Sequence, residues 1–273
     1  MSICVALNLS DGVVIAADSA TTMTDMSGAI TKVFLDSDKL FQLGNLRIGI
    51  ATYGVAALEG RTIGSFIREF VLDPANKDIG TLEIGLIVER LRAFFLQHYR
   101  AFAEKLYEQP FDEIPANKKG KLGLVVGGFS SGAFQSELWE VVVPDNVTEN
   151  SSKCVFKKGT IGLSWFASAV PINRYLKGFD WKLVNQFEQF CKKLVGGRDL
   201  TADELQEVLT LLRENEYLIK VDGMPVQCGI ECARFLVEFV LGHYRFAETH
   251  PIVGGKAKIG VVAYDHNAFR ILD

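Results

Sequence analysis

No stretch of this sequence approaches the roughly 18 consecutive apolar residues that a membrane-spanning helix needs, and its start lacks the basic-then-apolar pattern of a secretion signal. The expectation is a cytoplasmic protein with no membrane partner. Cysteine is sparse: Cys4, Cys154, Cys191, Cys228 and Cys232 form no C-x-x-C pair, and their odd number fits reduced thiols better than a disulfide framework. Cys228 and Cys232 fall four apart on an expected helix, but no histidine or carboxylate joins them at ligand spacing. We read them as small core residues and expect no metal. Glycine loops of the phosphate-binding and dinucleotide-binding kinds are missing, so no nucleotide cofactor is expected. The net charge is only −4 and its acidic residues are scattered, which gives no basic stripe for nucleic acid.

What is present is apolar and well punctuated. With 273 residues, 48% of them hydrophobic and 23% charged, the chain has enough material for one large domain with a sizeable core. Two short apolar runs, Ile3 to Leu9 and Val13 to Ala17, flank Ser10-Asp11-Gly12 and read as a β-hairpin. The hairpin returns Asp18, at the end of its second strand, towards the start of the first, because paired strands lie only about 5 Å apart. There the second residue is Ser2. Methionine aminopeptidases remove an initiator Met that precedes a small residue, so the mature chain is expected to begin with a serine carrying both a hydroxyl and a free α-amine. Such a residue is a nucleophile with its own base. An α-amine with a pKa near about 8 is a better proton acceptor at neutral pH than a lysine near about 10.4.

Farther along, Lys39-Leu40-Phe41-Gln42-Leu43 opens a second hairpin that continues through Leu46 to Ala51 and turns at Thr52-Tyr53-Gly54. This order of a small hydroxyl residue, a Gly12-Val13-Val14-Ile15-Ala16-Ala17-Asp18-Ser19 strand, a Lys39-Leu40 strand and a strand ending in Gly54 resembles the β-type subunits of proteasomes and their bacterial relatives, which are N-terminal-nucleophile hydrolases. In that resemblance Ser2 matches the catalytic threonine, Asp18 the aspartate closing the second strand, and Lys39 the lysine opening the third. The polar loop Thr21 to Asp38 is about five residues longer than the family pattern, which leaves Lys32 as a second candidate. Lys39 is preferred because it immediately opens an apolar strand. The lysine acts by electrostatics, lowering the amine's pKa while Asp18 orients it. The backbone N–H of Tyr53 or Gly54 is expected to serve as the oxyanion donor.

Helical spacing follows at Val55 to Leu72 and at Thr81 to Glu108, with Thr81 as the expected N-cap; His98 lies off the centre of the second stripe and reads as a solvated or hydrogen-bonded histidine. Strands are expected at Leu122 to Phe129, Ala133 to Val143 and Lys153 to Lys157. Periodicity supports an α+β fold; the resemblance implies the four-layer αββα sandwich. Gly162-Leu163-Ser164 is similar to the family's G-S-G turn, with Leu163 at its serine and Ser164 displaced by one. Either the turn is remodelled so that Ser164 points inward as support for the amine, or this support is absent; Ser164 also reads as an N-cap of a helix from Trp165 to Leu176. Residues 177–224 exceed the family pattern and read as a helical insertion in a single domain, with helices at Trp181 to Leu194 and Thr201 to Arg213 and a capping box at Thr201 and Glu204. An apolar helix at Gln227 to Phe246 precedes Gly254-Gly255, whose match to the family's S-G-G places Val253 at the serine and His250 at its second aspartate. Strands Ala257 to Tyr264 and Ala268 to Leu272 end the chain.

The resemblance implies a peptidase or amidohydrolase that acts on peptides or unfolded protein inside stacked homo-oligomeric rings of six or seven subunits. Its alternative is a proteasome-like ring protein with weak or no catalysis, which the departures at Leu163 and Val253 and the serine in place of threonine suggest. An unfoldase partner is left unassigned.

Overall fold

Strands β1 (Ile3–Asn8) and β2 (Gly12–Asp18) are buried along their whole length, which is why they read as unbroken apolar runs rather than as alternating ones. The computed structural model describes residues 2–24, 30–144, 152–194, 196–214, 216–247 and 253–272. After β2 the expected polar loop is in fact a small hairpin, β3 (Thr21–Thr24) paired with β4 (Ile30–Phe34). Its strands carry β-branched Thr21, Thr22, Ile30, Thr31 and Val33, a composition that favours extended backbone even without a buried face. β5 (Leu40–Gln42) and β6 (Ile48–Gly54) form the second expected hairpin.

Helix does not begin at Val55. A tight hairpin, β7 (Ala57–Leu58) and β8 (Arg61–Thr62), intervenes, turning through Glu59 and Gly60 at φ of 49° and 78°. Two successive positive φ values match the twist of a two-residue hairpin turn. Thr62 then caps α1 (Ile63–Leu72), its hydroxyl accepting the Ser65 N–H at 3.3 Å. The long helix α2 (Ile84–Tyr107) starts three residues after the expected cap Thr81; its first N–H, from Ile84, is satisfied by Ser130 Oγ at 3.1 Å. Then come β9 (Leu122–Gly128), β10 (Glu137–Val143), β11 (Ser152–Phe156) and β12 (Gly162–Ala167). The last of these replaces the first part of the helix expected from Trp165: β12 pairs along its length with β1, and helix α3 (Val170–Lys177) begins only after it. α4 (Trp181–Leu194) and α5 (Ala202–Arg213) follow, the latter with the expected capping box between Thr201 and Glu204. α6 (Val226–Phe246), β13 (Ala257–Ala263) and β14 (Arg270–Leu272) complete the chain.

Two compact units result, Met1–Ala167 with Val221–Asp273, and Ser168–Lys220. The second begins nine residues before the insertion start read from the sequence at 177, and it ends at 220 rather than 224. Within it, Asp180 caps α4 by accepting the Leu183 N–H at 2.9 Å and pairs with Arg174 at 2.5 Å.

The first unit is a mixed α+β fold with two five-stranded antiparallel sheets, ordered β12-β1-β2-β13-β14 and β11-β10-β9-β6-β5. Between them lies a core of small and medium side chains, including Cys4, Ala6, Val13, Ile15 and Ala17 from one sheet and Leu40, Ala51, Val125 and Leu138 from the other. A second core joins the far face of the β6-β9 sheet to α1 and α2 through Ile50, Val126, Phe66, Phe70, Leu91 and Phe95. His98 packs at its margin against Phe66, tilted, and Phe94, edge-on, with 4.9 and 4.5 Å between ring centroids. On the other side α6 lies against β1, β2 and β13. Gly229 allows that approach, since a Cβ there would sit 2.6 Å from Leu9 Cδ1.

Candidate active site

The pairing of β1 with β2 sets Cys4 opposite Ala17, which brings Ile3 beside Asp18 one step farther on. The Ile3 N–H accordingly donates to Asp18 Oδ1 at 3.1 Å. Lys39 arrives from the other sheet: it stands just before β5, and its carbonyl accepts the Thr52 N–H at 2.9 Å, which fixes its backbone to β6. From there Lys39 Nζ donates to Asp18 Oδ1 at 2.8 Å and to Ser2 Oγ at 2.9 Å. All three side chains are buried, Asp18 completely. The second carboxylate oxygen, Asp18 Oδ2, accepts the N–H groups of Ala20 at 3.3 Å and Gly254 at 3.4 Å. A buried carboxylate with a cation and several amides on it is a satisfied charge, whereas the same group deprived of its cation would be costly.

Lys32, the other lysine candidate, stands outside this hydrogen-bonded cluster. It lies on β4, exposed, with Nζ 4.6 Å above the Phe34 ring. The alternation of backbone donors along β6 places the amides at its end. Thr52 N–H points to Lys39 on the β5 side, and Val55 N–H points to Lys121 on the β9 side at 2.9 Å. Gly54 therefore shares the direction of Thr52, and Tyr53 that of Val55. Gly54 has φ of 83°, and a Cβ there would sit 1.9 Å from the Lys121 carbonyl oxygen, so the position requires glycine. The Tyr53 side chain turns away from the nucleophile: its hydroxyl donates to Glu140 Oε1 at 2.6 Å, and burial pushes the phenol above its ordinary range. Cys4, the nearest thiol in sequence, is fully buried with Sγ 3.7 Å from the Thr52 carbonyl oxygen, and burial pushes it up to about 12. It is no nucleophile at neutral pH.

Of the two readings of Ser164, the fold matches the one without support for the amine. Ser164 pairs with Ala6 in the middle of β12, and the residue opposite Ile3 is Ala167. Three strand positions separate the two, about 10 Å. Neither does Ser164 cap a helix, because β12 continues past it. Ala167 ends the strand at φ of 68°, and the next residue, Ser168, has a buried hydroxyl with no hydrogen-bond partner among the described residues. His250 lies outside the described residues. Val253 is buried, and Gly254 beside it joins the site by its backbone N–H, a role no side chain announces. Among the described residues no group of three His, Cys, Asp or Glu side chains could hold a metal ion, and no helix is long and apolar enough to cross a membrane.

No protein-family model matches the chain, and no curated protein is similar to it in sequence. Among solved structures it is similar to Anbu (ancestral beta-subunit) from Yersinia bercovieri, at 14% identity, covering 98% of this chain and 86% of that one with a TM-score of 0.48. At that level the likeness assigns no side chain a role.

Proposed function

We propose that this chain is an N-terminal-nucleophile hydrolase of peptide-like amides in which Ser2, freed of Met1, is the nucleophile. The observation that carries the reading is the buried relay of Ser2 Oγ, Lys39 Nζ and Asp18 Oδ1 at 2.9 and 2.8 Å. In the reaction the α-amine of Ser2 takes the hydroxyl proton as Oγ attacks the carbonyl carbon of the substrate. The oxyanion so formed accepts the Gly54 N–H, which shares an edge with Lys39. Collapse passes the proton from the α-ammonium to the departing amine and leaves an ester on Ser2. Water, deprotonated by the same amine, then releases the acid and restores the hydroxyl. Lys39 stays protonated against Asp18 throughout; its charge favours the neutral form of the amine and the negative charge that develops on Oγ. We read the two stacked sheets with helices outside them as the four-layer sandwich of this class. We also infer assembly into stacked homo-oligomeric rings, so that the substrates are peptides or unfolded protein admitted to a chamber.

Three measurements test this reading. The intact mass of the purified protein should lack Met1. A peptidyl β-lactone, which acylates activated hydroxyls, should add to Ser2 by peptide mapping and fail to add to Ser2→Ala. Retention of Met1, or acylation at another residue, overturns the proposal. Light scattering on the size-exclusion peak should give a particle many times the 30.2 kDa subunit mass.

A further inference from the structure

The residue after Asp18 is completely buried and ties together two loops that both reach the site. Ser19 Oγ donates to the Leu35 carbonyl at 2.6 Å and accepts the Lys256 N–H at 2.8 Å. Its own carbonyl accepts the Ser37 N–H at 2.7 Å, and the neighbouring Ala20 N–H donates to the Gly254 carbonyl at 3.1 Å. The first loop, Leu35 to Asp38, delivers Lys39. The second, Gly254 to Lys256, delivers the Gly254 N–H to Asp18. Each loop is held by this one hydroxyl together with a backbone bond to Ser19 or Ala20, and the hydroxyl is what the two share. Packing around it is close enough to dictate sequence nearby: a Cβ on Gly255, at φ of 76°, would lie 2.3 Å from Ser19 Oγ and 2.2 Å from the Leu35 carbonyl oxygen.

We infer that Ser19 is a positioning residue for the hydrolytic site: through its hydroxyl it sets where the Lys39 ammonium stands relative to the Ser2 amine, without itself touching substrate. The inference rests on the reading of Ser2 as nucleophile. A competing tether exists, since Lys258 Nζ bridges Asp36 Oδ1 and Asp38 Oδ1 at 3.1 and 2.9 Å. Those carboxylates are about three-quarters exposed, and exposed pairs of this kind contribute little. The Ser19 hydroxyl is itself fully buried, so removing it takes away the one group that faces both the Leu35 carbonyl and the Lys256 N–H, and the two loops lose their common hold.

The test uses the full chain as purified and the peptidyl β-lactone as probe, with the second-order rate of Ser2 acylation followed from pH 5 to 10. In Ser19→Ala the rate at neutral pH should fall about tenfold to a hundredfold, the range a misplacement on the ångström scale produces. The acid limb should also move to higher pH, because an ammonium farther from the amine lowers its pKa less. Lys258→Met should leave rate and limb near those of the parent. Hydrogen exchange at the Gly254 and Lys256 amides should be faster in Ser19→Ala. An unchanged rate, or a reduced rate with an unmoved limb, overturns the inference, because a merely structural serine lowers the amount of competent protein without shifting its pH profile. Should the alanine variant not fold, Ser19→Cys, which keeps a weak donor, is read by the same limb. Failure of the parent itself to be acylated counts against the nucleophile and not against the tie, which the exchange measurement decides separately.

Discussion

The Lys39 ammonium lies 2.9 Å from the Ser2 hydroxyl, although the two residues immediately precede strands of different sheets and are 37 positions apart in sequence. Its other contact, at 2.8 Å, is a fully buried carboxylate. Removing the ammonium therefore does two things. It leaves Asp18 an unpaired buried charge, a change of about 3–5 kcal/mol in stability, and it removes the positive charge that lowers the pKa of the Ser2 amine. Lys39→Ala should lose Ser2 acylation by more than about a hundredfold and unfold at clearly lower urea. Lys32→Ala, on an exposed strand, should stay within about 0.5 kcal/mol of the parent and keep its acylation rate. Equal effects from the two variants would place the wrong lysine in the site.

How far this site was legible depends on what kind of group each part uses. Ser2, Asp18 and Lys39 are side chains at the ends of short apolar runs, which let the family resemblance align them, with Lys32 left as a second candidate for the lysine. The amides of Ile3, Ala20 and Gly254 that hold Asp18 carry no letter in the sequence, since any residue supplies an N–H. The misread elements fail for a related reason. Ala57-Leu58 and Arg61-Thr62 are too short to show alternation, and their apolar residues fit helical spacing just as well. At Trp165-Phe166 the apolar run was likewise ambiguous, and pairing with β1, a partner some 160 residues away, settled it as strand.

Gly54 and Gly123 give a second prediction, because each leaves room for a specific neighbour. A Cβ on Gly123 would fall 1.9 Å from Tyr53 Cζ, inside the ring that anchors the end of β6 to Glu140. Gly123→Ala must push that ring aside and should cost about 1–3 kcal/mol, the usual range for overpacking. Acylation should slow as well, since the Gly54 amide lies next in the chain. Gly54→Ala combines overlap with the Lys121 carbonyl and a positive φ, and should be the more damaging of the two. Urea titrations of both, alongside β-lactone acylation rates, check the order.

Away from the site, Ser130 closes the N-terminus of α2, accepting the Ile84 N–H and donating to Glu137 Oε1, both at 3.1 Å. The hydroxyl is buried, so water does not replace it. Ser130→Ala should lose about 1–2 kcal/mol of stability, the range for a lost cap. Its Ser2 acylation rate per folded molecule should match the parent. A change in that rate would mean the helix end is coupled to the nucleophile in a way these contacts do not account for.

Cys4 supplies a prediction on pH, and its sign follows from where the proton sits. Burial first, then the negative charge of Asp18, push its thiol from 9.0 to about 12 in the folded protein. Below about pH 9 folded and unfolded chains both hold the proton, and Cys4 adds no pH dependence. Above that the unfolded chain releases a proton the folded chain keeps, so stability falls as pH rises towards 12, by about 1.4 kcal/mol per pH unit for this one group. Tyr99, raised from 10.0 to about 12, and Tyr53, also raised, act in the same direction from a slightly higher pH. Urea unfolding under reducing conditions should therefore give a nearly flat stability from pH 7 to 9 and a steep decline beyond it. Cys4→Ala should make that decline shallower by one proton while leaving the tyrosine part in place. Parallel declines in the parent and Cys4→Ala would show that the buried thiol is not held protonated in the folded protein.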